Sequence, residues 1–173
     1  MKNISSVLFA GLLTSSAKSW SINGHLFVAN IAQDLLLENS STTFTSALTM
    51  LAHLKEFDPS LTAGEADHPF VECATFADDI KYHGGAWQSD YHFVDNPFIE
   101  EGKTTDYTIA ISPHNLTYGI ESIVQWLSIR NDGTDYLQSY AYQYIQNSLF
   151  PGNESLAKSY ALRLLIHYIG DIH

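Results

Sequence analysis

The segment SLAKSYALRLLIHYIGDIH, residues 155–173, is apolar at helical spacing along its whole length. Leu156, Tyr160, Leu164 and His167 recur at intervals of three and four residues, and further apolar side chains widen the same face: Leu162, Leu165, Ile166 and Ile169. An apolar face of this width is typical of a helix that packs into a core. The sequence therefore predicts an α-helix from residue 155 to the end of the chain.

The same spacing predicts helices elsewhere in the chain, over residues 22–37, 43–54, 71–82, 115–130 and 134–149. Polar or glycine-containing stretches separate them, namely 39–41, 56–70, Gly84-Gly85, 131–133 and Pro151-Gly152. Residues 91–97 are short and aromatic, which favours an extended segment. Because no repeat or flexible linker interrupts this pattern, we expect one domain of the mainly α class.

The composition indicates a folded protein whose charge limits its partners. The chain has 173 residues, 45% of them hydrophobic, and a formal net charge of −11. Such a balance argues against a groove that binds nucleic acid through lysine and arginine alone. A phosphate-binding role would need another source of positive charge, and bound metal ions can provide one.

The N-terminus has the pattern of a secretory signal peptide. Lys2 precedes an apolar run over residues 7–13, and Ala17-Lys18-Ser19 offers small residues for cleavage before Trp20. We therefore expect residues 1–19 to be removed and the product to be secreted, or lumenal, and soluble, since the apolar run is too short to span a bilayer. Cleavage would also remove Lys2 and Lys18, leaving six basic side chains against 19 acidic ones.

Two further features bear on an exported protein. Sequons at Asn39, Asn115 and Asn153 are candidate glycosylation sites, so a glycoprotein is expected. Cys73 is the only cysteine, which is unusual in a secreted protein. Either Cys73 is buried as a thiol or its disulfide partner lies outside this chain.

Residues able to bind a metal occur first on the predicted last helix. His167 and Asp171 are four positions apart, so they project from one face, a turn apart. A lone buried histidine is usually a hydrogen-bonded core residue. An ionised aspartate beside it needs a partner or a metal, which favours the interpretation that the pair binds a metal ion.

The segment TFADDIKYHGGAWQSDYHFVD, residues 75–95, concentrates oxygen and imidazole ligands that suit Zn²⁺. The candidates are Asp78, Asp79, His83, Asp90, His92 and Asp95. A solvated acidic loop is the alternative interpretation for any one of them. His25, on a first helix that is otherwise mostly apolar, is a third candidate position.

Four motifs occur in an order that resembles a known enzyme family: WSINGH at 20–25, FADDIK at 76–81, YHFVD at 91–95 and HYIGD at 167–171. The chain resembles the zinc-dependent single-strand nucleases of plants and fungi, type I or bifunctional nucleases with 3′-nucleotidase activity. The resemblance spans residues 20–173. It implies the multi-helix fold that this family shares with bacterial zinc phospholipase C.

The resemblance also implies ligands for two zinc ions. One ion would be held by Asp78, His92, His167 and Asp171, with Asp79 a rival to Asp78. The second would take the free α-amino nitrogen and carbonyl oxygen of Trp20, together with His25 and a bridging Asp171. Two such ions activate water and orient it towards a phosphodiester, so Asp78 and Asp171 would serve catalysis as well as metal binding.

Three further roles follow from the same resemblance. Lys81 matches a basic residue near the phosphate, where it could offset transition-state charge; an exposed helix lysine is the alternative. Phe93 would stack on a nucleobase, which requires an unstacked base and so favours single strands, unless it is a core residue. Asp95 would accept a hydrogen bond from that base. The expected protein is a monomeric, secreted zinc endonuclease that cuts single-stranded DNA and RNA to 5′-phosphates and acts on 3′-nucleotides, without binding membranes.

The sequence departs from the family at its end. A third zinc ion of the family depends on a Q-P-L-H run and later ligands, and His173 does not match that position. We therefore expect residues 20–173 to be the N-terminal part of one zinc nuclease domain, weakly active alone, with Leu162, Leu165 and Ile169 partly exposed. The alternatives are a phospholipase C-like zinc phosphodiesterase and a non-catalytic zinc-binding secreted fragment.

Overall fold

The computed structural model describes residues 22–94, 101–102, 113–128 and 134–173, and every regular element within these ranges is helical. The α-helices are α1 (Ile22–Asn39), α2 (Ser41–Phe57), α3 (Pro69–Glu72), α4 (Phe76–Asp79), α5 (Leu116–Leu127), α6 (Tyr140–Tyr142) and α7 (Glu154–Ile172). Shorter 3₁₀ turns cover Cys73–Thr75, Ile80–Tyr82, Ala86–His92 and Asp135–Gln138, and Gln143–Leu149 is a π-helix. The predicted mainly α class is confirmed.

Helix α7 lies at the centre of the fold. It packs against α1, α2 and α5 and against the turn Cys73–Thr75. Its side chains Ala161, Leu164 and Tyr168 are fully buried in the main hydrophobic core. Because α7 contacts most other elements, any side chain on its inward faces can reach residues that are distant in sequence.

The long helices agree with the sequence pattern. Helices α1, α2, α5 and α7 cover the predicted segments, with ends shifted by a few residues. Asn115 and Asn153 are the N-caps of α5 and α7, where their side chains accept hydrogen bonds from the backbone N–H of Tyr118 and Leu156. A cap of this kind satisfies one of the backbone donors that a helix start leaves free.

Three predictions were wrong in part. The single helix expected over 71–82 is divided between α3, α4 and two 3₁₀ turns. The helix expected over 134–149 is broken at Ser139, whose extended backbone and side chain cap α6. Tyr91 and His92 end the 3₁₀ helix Ala86–His92 instead of being extended, since both are buried by contacts with other elements. Phe93 is extended, and residues 95–97 lie outside the described ranges.

A buried ion pair fixes the segment between α2 and α3 against α7. The guanidinium of Arg163 donates to both carboxylate oxygens of Glu65, at 2.6 and 2.7 Å. Arg163 also donates to the carbonyl oxygens of Leu51 and Ser159 and to the Ser159 hydroxyl, at 2.8–3.0 Å. Lys55 binds the backbone oxygen of Glu65 at 2.8 Å. All polar atoms of the pair thus have partners, which a buried charge requires.

Part of the exposed apolar surface of the described residues lies on α1. Phe27, Ile31 and Leu35 are more than half exposed, whereas Leu162, Leu165 and Ile169 of α7 are half-buried, as expected. Cys73 is 1% exposed, and its thiol donates to the carbonyl oxygen of Phe70. Among the described residues, no helix combines the length and the apolar character that a membrane span requires.

Candidate metal centre

Five candidate ligands from four elements meet at one end of α7. His167 and Asp171 come from α7 itself, one turn apart, and His25 comes from α1. His92 ends the 3₁₀ helix Ala86–His92, and Asp78 lies on α4. We call His25, Asp78, His92, His167 and Asp171 the ligand cluster.

Asp171 is the hub of the ligand cluster, and its side chain is fully buried. One carboxylate oxygen, Oδ2, is 2.9 Å from Nδ1 of His92 and 3.2 Å from Nε2 of His167. The other oxygen, Oδ1, is 3.5 Å from Nε2 of His25. A single carboxylate therefore faces three imidazole rings.

A hydrogen bond on the side of the ring away from the other ligands fixes the orientation of His167. Its Nδ1 lies 2.6 Å from the carbonyl oxygen of Ala74, so Nδ1 carries the proton that this acceptor requires. The other ring nitrogen, Nε2, then presents its lone pair to the ligand cluster, 3.1 Å from Nδ1 of His92. A backbone carbonyl behind a histidine is the usual arrangement for metal ligands, because it sets the tautomer.

The polar atoms of the ligand cluster fit a divalent cation such as Zn²⁺. Both ring nitrogens of His25 and Nε2 of His92 are buried and have no hydrogen-bond partner among the described residues. Ligand atoms of His25, Asp78 and His167 lie within 4.8 Å of one another, and so do those of His92, His167 and Asp171. Unpaired buried nitrogens are costly, and a mixed imidazole and carboxylate set is one that zinc accepts.

His25 is held by close packing against α7. Its ring stacks on that of His167 with centroids 4.1 Å apart. A Cβ atom on Gly170 would fall 2.2 Å from Nδ1 of His25, so only glycine leaves room for the ring. Burial, and next the neighbouring His167, lower the pKa of His25 below its ordinary value. The neutral imidazole is thereby favoured, which is the form that binds a metal.

The two adjacent aspartates of α4 have different surroundings. Asp78 belongs to the ligand cluster. Asp79 instead accepts a hydrogen bond from the Thr75 hydroxyl at 2.6 Å. Asp79 and His83 also line a cavity of about 600 Å³ beside Ser60 and Gly64. Of the two rival ligands, only Asp78 belongs to a group of three candidate ligands whose atoms lie within 4.8 Å of one another among the described residues.

The other predicted site residues are only partly described. Phe93 is 45% exposed, with its ring centroid 6.1 Å from that of His92. Lys81 is half-buried in the turn Ile80–Tyr82 that follows α4. Trp20 and Asp95 lie outside the described residues, as does the predicted signal peptide over 1–19.

The three sequons differ in exposure. Asn39 and Asn153 are exposed, and Asn115 is half-buried. Asn115 and Asn153 use their side-chain oxygen as a helix cap, which leaves the amide nitrogen, the atom that carries a glycan, outside that bond. The amide nitrogen of Asn39 donates to the carbonyl oxygen of Leu35.

Residue patterns alone did not place three features that lie near the ligand cluster. These are the Ala74 carbonyl oxygen, the space at Gly170, and a hydrogen-bonded pair formed by Gln88 and Tyr168. Gly170 did leave a signal, since a glycine within an apolar helical pattern often marks close packing. The other two depend on contacts between distant segments.

A protein-family model described as S1/P1 Nuclease matches residues 20–173, which is nearly the whole chain. Searches of curated proteins and of solved structures found no significant match.

Proposed function

Because this chain belongs to the S1/P1 nuclease family over residues 20–173, we propose that it is a zinc-dependent endonuclease of single-stranded nucleic acid. Family membership makes it a nuclease, a hydrolase that acts on nucleic acids. The proposal adds the metal, the strand preference, cleavage of DNA and RNA to 5′-phosphate products, and 3′-nucleotidase activity. The single observation that carries it is the meeting of three histidines and two aspartates, the ligand cluster, at one end of α7.

The ligand cluster would hold the metal, and Asp171 would be shared between the two proposed ligand sets. When bound, zinc would supply Lewis acidity and an activated water for in-line attack on phosphorus. It would also provide the positive charge that a chain of net charge −11 lacks. We further propose that the free amine of Trp20, exposed by removal of residues 1–19, completes one ion's ligands.

The protein's own residues would bind and orient the substrate. The exposed ring of Phe93 offers a surface on which an unpaired base can stack, a contact worth about 1–3 kcal/mol. Duplex DNA keeps its bases stacked on each other, so this surface favours single strands. Lys81 would bind the phosphate and Asp95 would accept a hydrogen bond from the base. A base-stacking ring beside the ligand cluster supports the nuclease over a phospholipase C-like phosphodiesterase.

Export and glycosylation complete the proposal. The pattern of residues 1–19 supports secretion, and the exposed sequons at Asn39 and Asn153 are compatible with glycans. We propose that the mature chain acts as a monomer.

The test is hydrolysis and metal content of the signal-processed protein. Single-stranded DNA and RNA, matched duplexes, 3′- and 5′-nucleotides, and phosphatidylcholine vesicles are incubated with zinc-loaded protein and with protein stripped by chelator. We expect chelator-sensitive cleavage of the single strands, with 5′-phosphate ends, and phosphate release from the 3′-nucleotides only. Asp171→Asn should lose bound zinc and activity together.

Several outcomes would contradict the proposal. Cleavage that persists in saturating chelator would exclude the zinc mechanism, and preferential hydrolysis of the phospholipid would favour the phospholipase C-like alternative. Zinc binding without hydrolysis of any of these substrates would favour the non-catalytic reading for this chain.

A further inference from the structure

Gln88 is a fully buried amide whose side chain bridges two other segments. It lies in the 3₁₀ helix Ala86–His92 and has no exposed surface. Its Nε2 donates to the carbonyl oxygen of Ala77 at 2.9 Å. Its Oε1 accepts a hydrogen bond from the Tyr168 hydroxyl at 2.8 Å. The result is a chain of hydrogen bonds from Tyr168 through Gln88 to Ala77.

Each member of this chain lies on a segment that also carries a residue of the ligand cluster. Ala77 immediately precedes Asp78, and Tyr168 immediately follows His167. Gln88 itself is four positions before His92 in the same 3₁₀ helix. One amide side chain therefore connects the three backbone segments that carry Asp78, His92 and His167.

Helix α4, which carries Asp78, is too short to be rigid alone. Burial of Phe76 and Ala77 in the main core holds it, and so does the hydrogen bond from Gln88 to the Ala77 carbonyl. Helix α4 has four residues, and a helix of this length has little stability without tertiary contacts. Asp78 is also exposed, so its side chain is not fixed by packing. The Ala77 carbonyl is the point at which Gln88 holds this backbone.

A buried amide is retained only where its hydrogen bonds are made, since an unsatisfied one is costly. Tyr168 is likewise fully buried, and its hydroxyl donates to the side chain of Gln88. An apolar pair of similar volume could fill this space without any polar atoms. The hydrogen bonds therefore fix the orientation of the Gln88 and Tyr168 side chains, which apolar packing alone would not do.

We propose that Gln88 and Tyr168 are positioning residues for the metal centre, which fix the α4 backbone so that Asp78 reaches the ion held by the α7 ligands. The inference rests on the proposed function, because it assumes that the ligand cluster binds a metal. Neither residue belongs to the ligand cluster, and both are fully buried. Their effect passes through the backbone of Ala77 and through the neighbours of His92 and His167.

The test compares two conservative changes of buried tyrosines in the full chain. Tyr168→Phe removes the hydroxyl that donates to Gln88. Tyr91→Phe removes a buried hydroxyl that has no hydrogen-bond partner among the described residues and that lies beside His92. Zinc affinity is measured by calorimetry, and the coordination geometry is read from the visible absorption of the Co²⁺-substituted protein.

We expect Tyr168→Phe and Gln88→Met each to weaken zinc binding roughly tenfold, the lower end of losses seen when residues behind metal ligands are changed. The Co²⁺ spectrum should shift in both variants. Tyr91→Phe should keep the wild-type affinity and spectrum. The double variant Gln88→Met/Tyr168→Phe should lose less than the product of the two single losses, since both act through one hydrogen-bond chain.

A stability control separates positioning from general loosening of the fold. Ser159 lies on α7, the helix of Tyr168, but away from the ligand cluster. Ser159→Ala removes its buried hydrogen bonds with Leu51, Leu54 and Arg163. It should lower the melting temperature while leaving the zinc affinity unchanged. Tyr168→Phe removes one hydroxyl only, so it carries the test even if Gln88→Met does not fold.

The outcomes distinguish this inference from the proposed function. Zinc affinity and a Co²⁺ spectrum unchanged by Tyr168→Phe would overturn the positioning role and leave the proposed function intact. Equal weakening by Ser159→Ala or Tyr91→Phe would also overturn it, because the effect would then be general. If the wild-type chain bound neither Zn²⁺ nor Co²⁺, the proposed function would fail first.

Discussion

Gly170 lies directly against His25: a methyl group placed on this glycine would fall 2.2 Å from Nδ1 of the histidine. We expect Gly170→Ala to displace the ring, to lower stability by about 1–3 kcal/mol, as overpacking does, and to weaken zinc binding. Gly64→Ala is the matched control, because a Cβ there meets nothing within 4 Å. Denaturant unfolding and zinc titration of both variants test this, and wild-type zinc affinity in Gly170→Ala would contradict it.

The adjacent aspartates of α4 provide a second matched pair. Asp78→Asn should reduce activity by more than about 100-fold, because changes behind metal ligands already cost about 10–100-fold. Asp79→Asn should leave activity near the wild-type level, since Asp79 bonds Thr75 outside the ligand cluster. Initial rates on single-stranded substrate at saturating zinc compare the two variants. The reverse order of losses would assign the ligand role to Asp79.

The buried ion pair should matter far more to stability than an exposed one. Arg163→Met leaves the Glu65 carboxylate buried without its partner, and we expect a loss of about 3–5 kcal/mol in the free energy of unfolding. Lys158→Met breaks the exposed pair with Glu154, a contact of 2.7 Å, and should cost less than about 1 kcal/mol. Urea unfolding measures both, and similar losses would show that burial of the Arg163 pair is unimportant.

Cys73 should be chemically inert in the folded protein. Burial raises the pKa of its thiol, and the side chain is 1% exposed, so little thiolate can reach a reagent. We expect native protein at pH 8 not to react with an aromatic disulfide reagent, so no aromatic thiolate is released. In denaturant the protein should release one equivalent of the reagent's aromatic thiolate per chain. Rapid reaction of the native protein would indicate that this part of the core opens readily.

The metal-free protein should lose stability at mildly acid pH because of His25. Its pKa in the folded chain is below the ordinary value of 6.5, so just below pH 6.5 the unfolded chain binds a proton that the folded chain rejects. Stability from this group is therefore present above pH 6.5 and falls as the pH decreases.

The measurement compares wild type with His25→Asn in chelator between pH 5 and pH 7.5. The difference in unfolding free energy, wild type minus variant, should decrease towards the acid end. If this free-energy difference stays constant or grows towards acid pH, the folded chain accepts the proton on His25 as readily as the unfolded chain, and the prediction is wrong.

The elements predicted well from the sequence are those whose stability signals are local. Helices α5 and α7 each combine an apolar face with an asparagine cap, and both features can be read within about 20 residues. The ligand motifs could also be recognised because their order resembles that of the nuclease family. Their meeting at Asp171 is a property of the fold, and residue spacing alone reveals only the His167–Asp171 pair.

The incorrect predictions fall where distant contacts override the local pattern. Ser139 interrupts what looks like one helix, and the segment that follows is a π-helix in which Tyr144 stacks on Trp87. The pairing of Glu65 with Arg163 joins residues 98 positions apart, so no local pattern could reveal it. Gln88 and Tyr168 are hidden for the same reason, at a separation of 80 positions.

The wide spacing of the ligand cluster also has a consequence for the order of events during synthesis. His92 and Asp171 are separated by 79 positions, and His167 depends on a carbonyl 93 positions earlier. A growing chain that has released α1, α2 and the Ala86–His92 helix still lacks the carboxylate that faces all three imidazoles. Because the proposed ligand set is complete only when α7 has emerged and docked, we expect metal binding to follow the folding of this last helix.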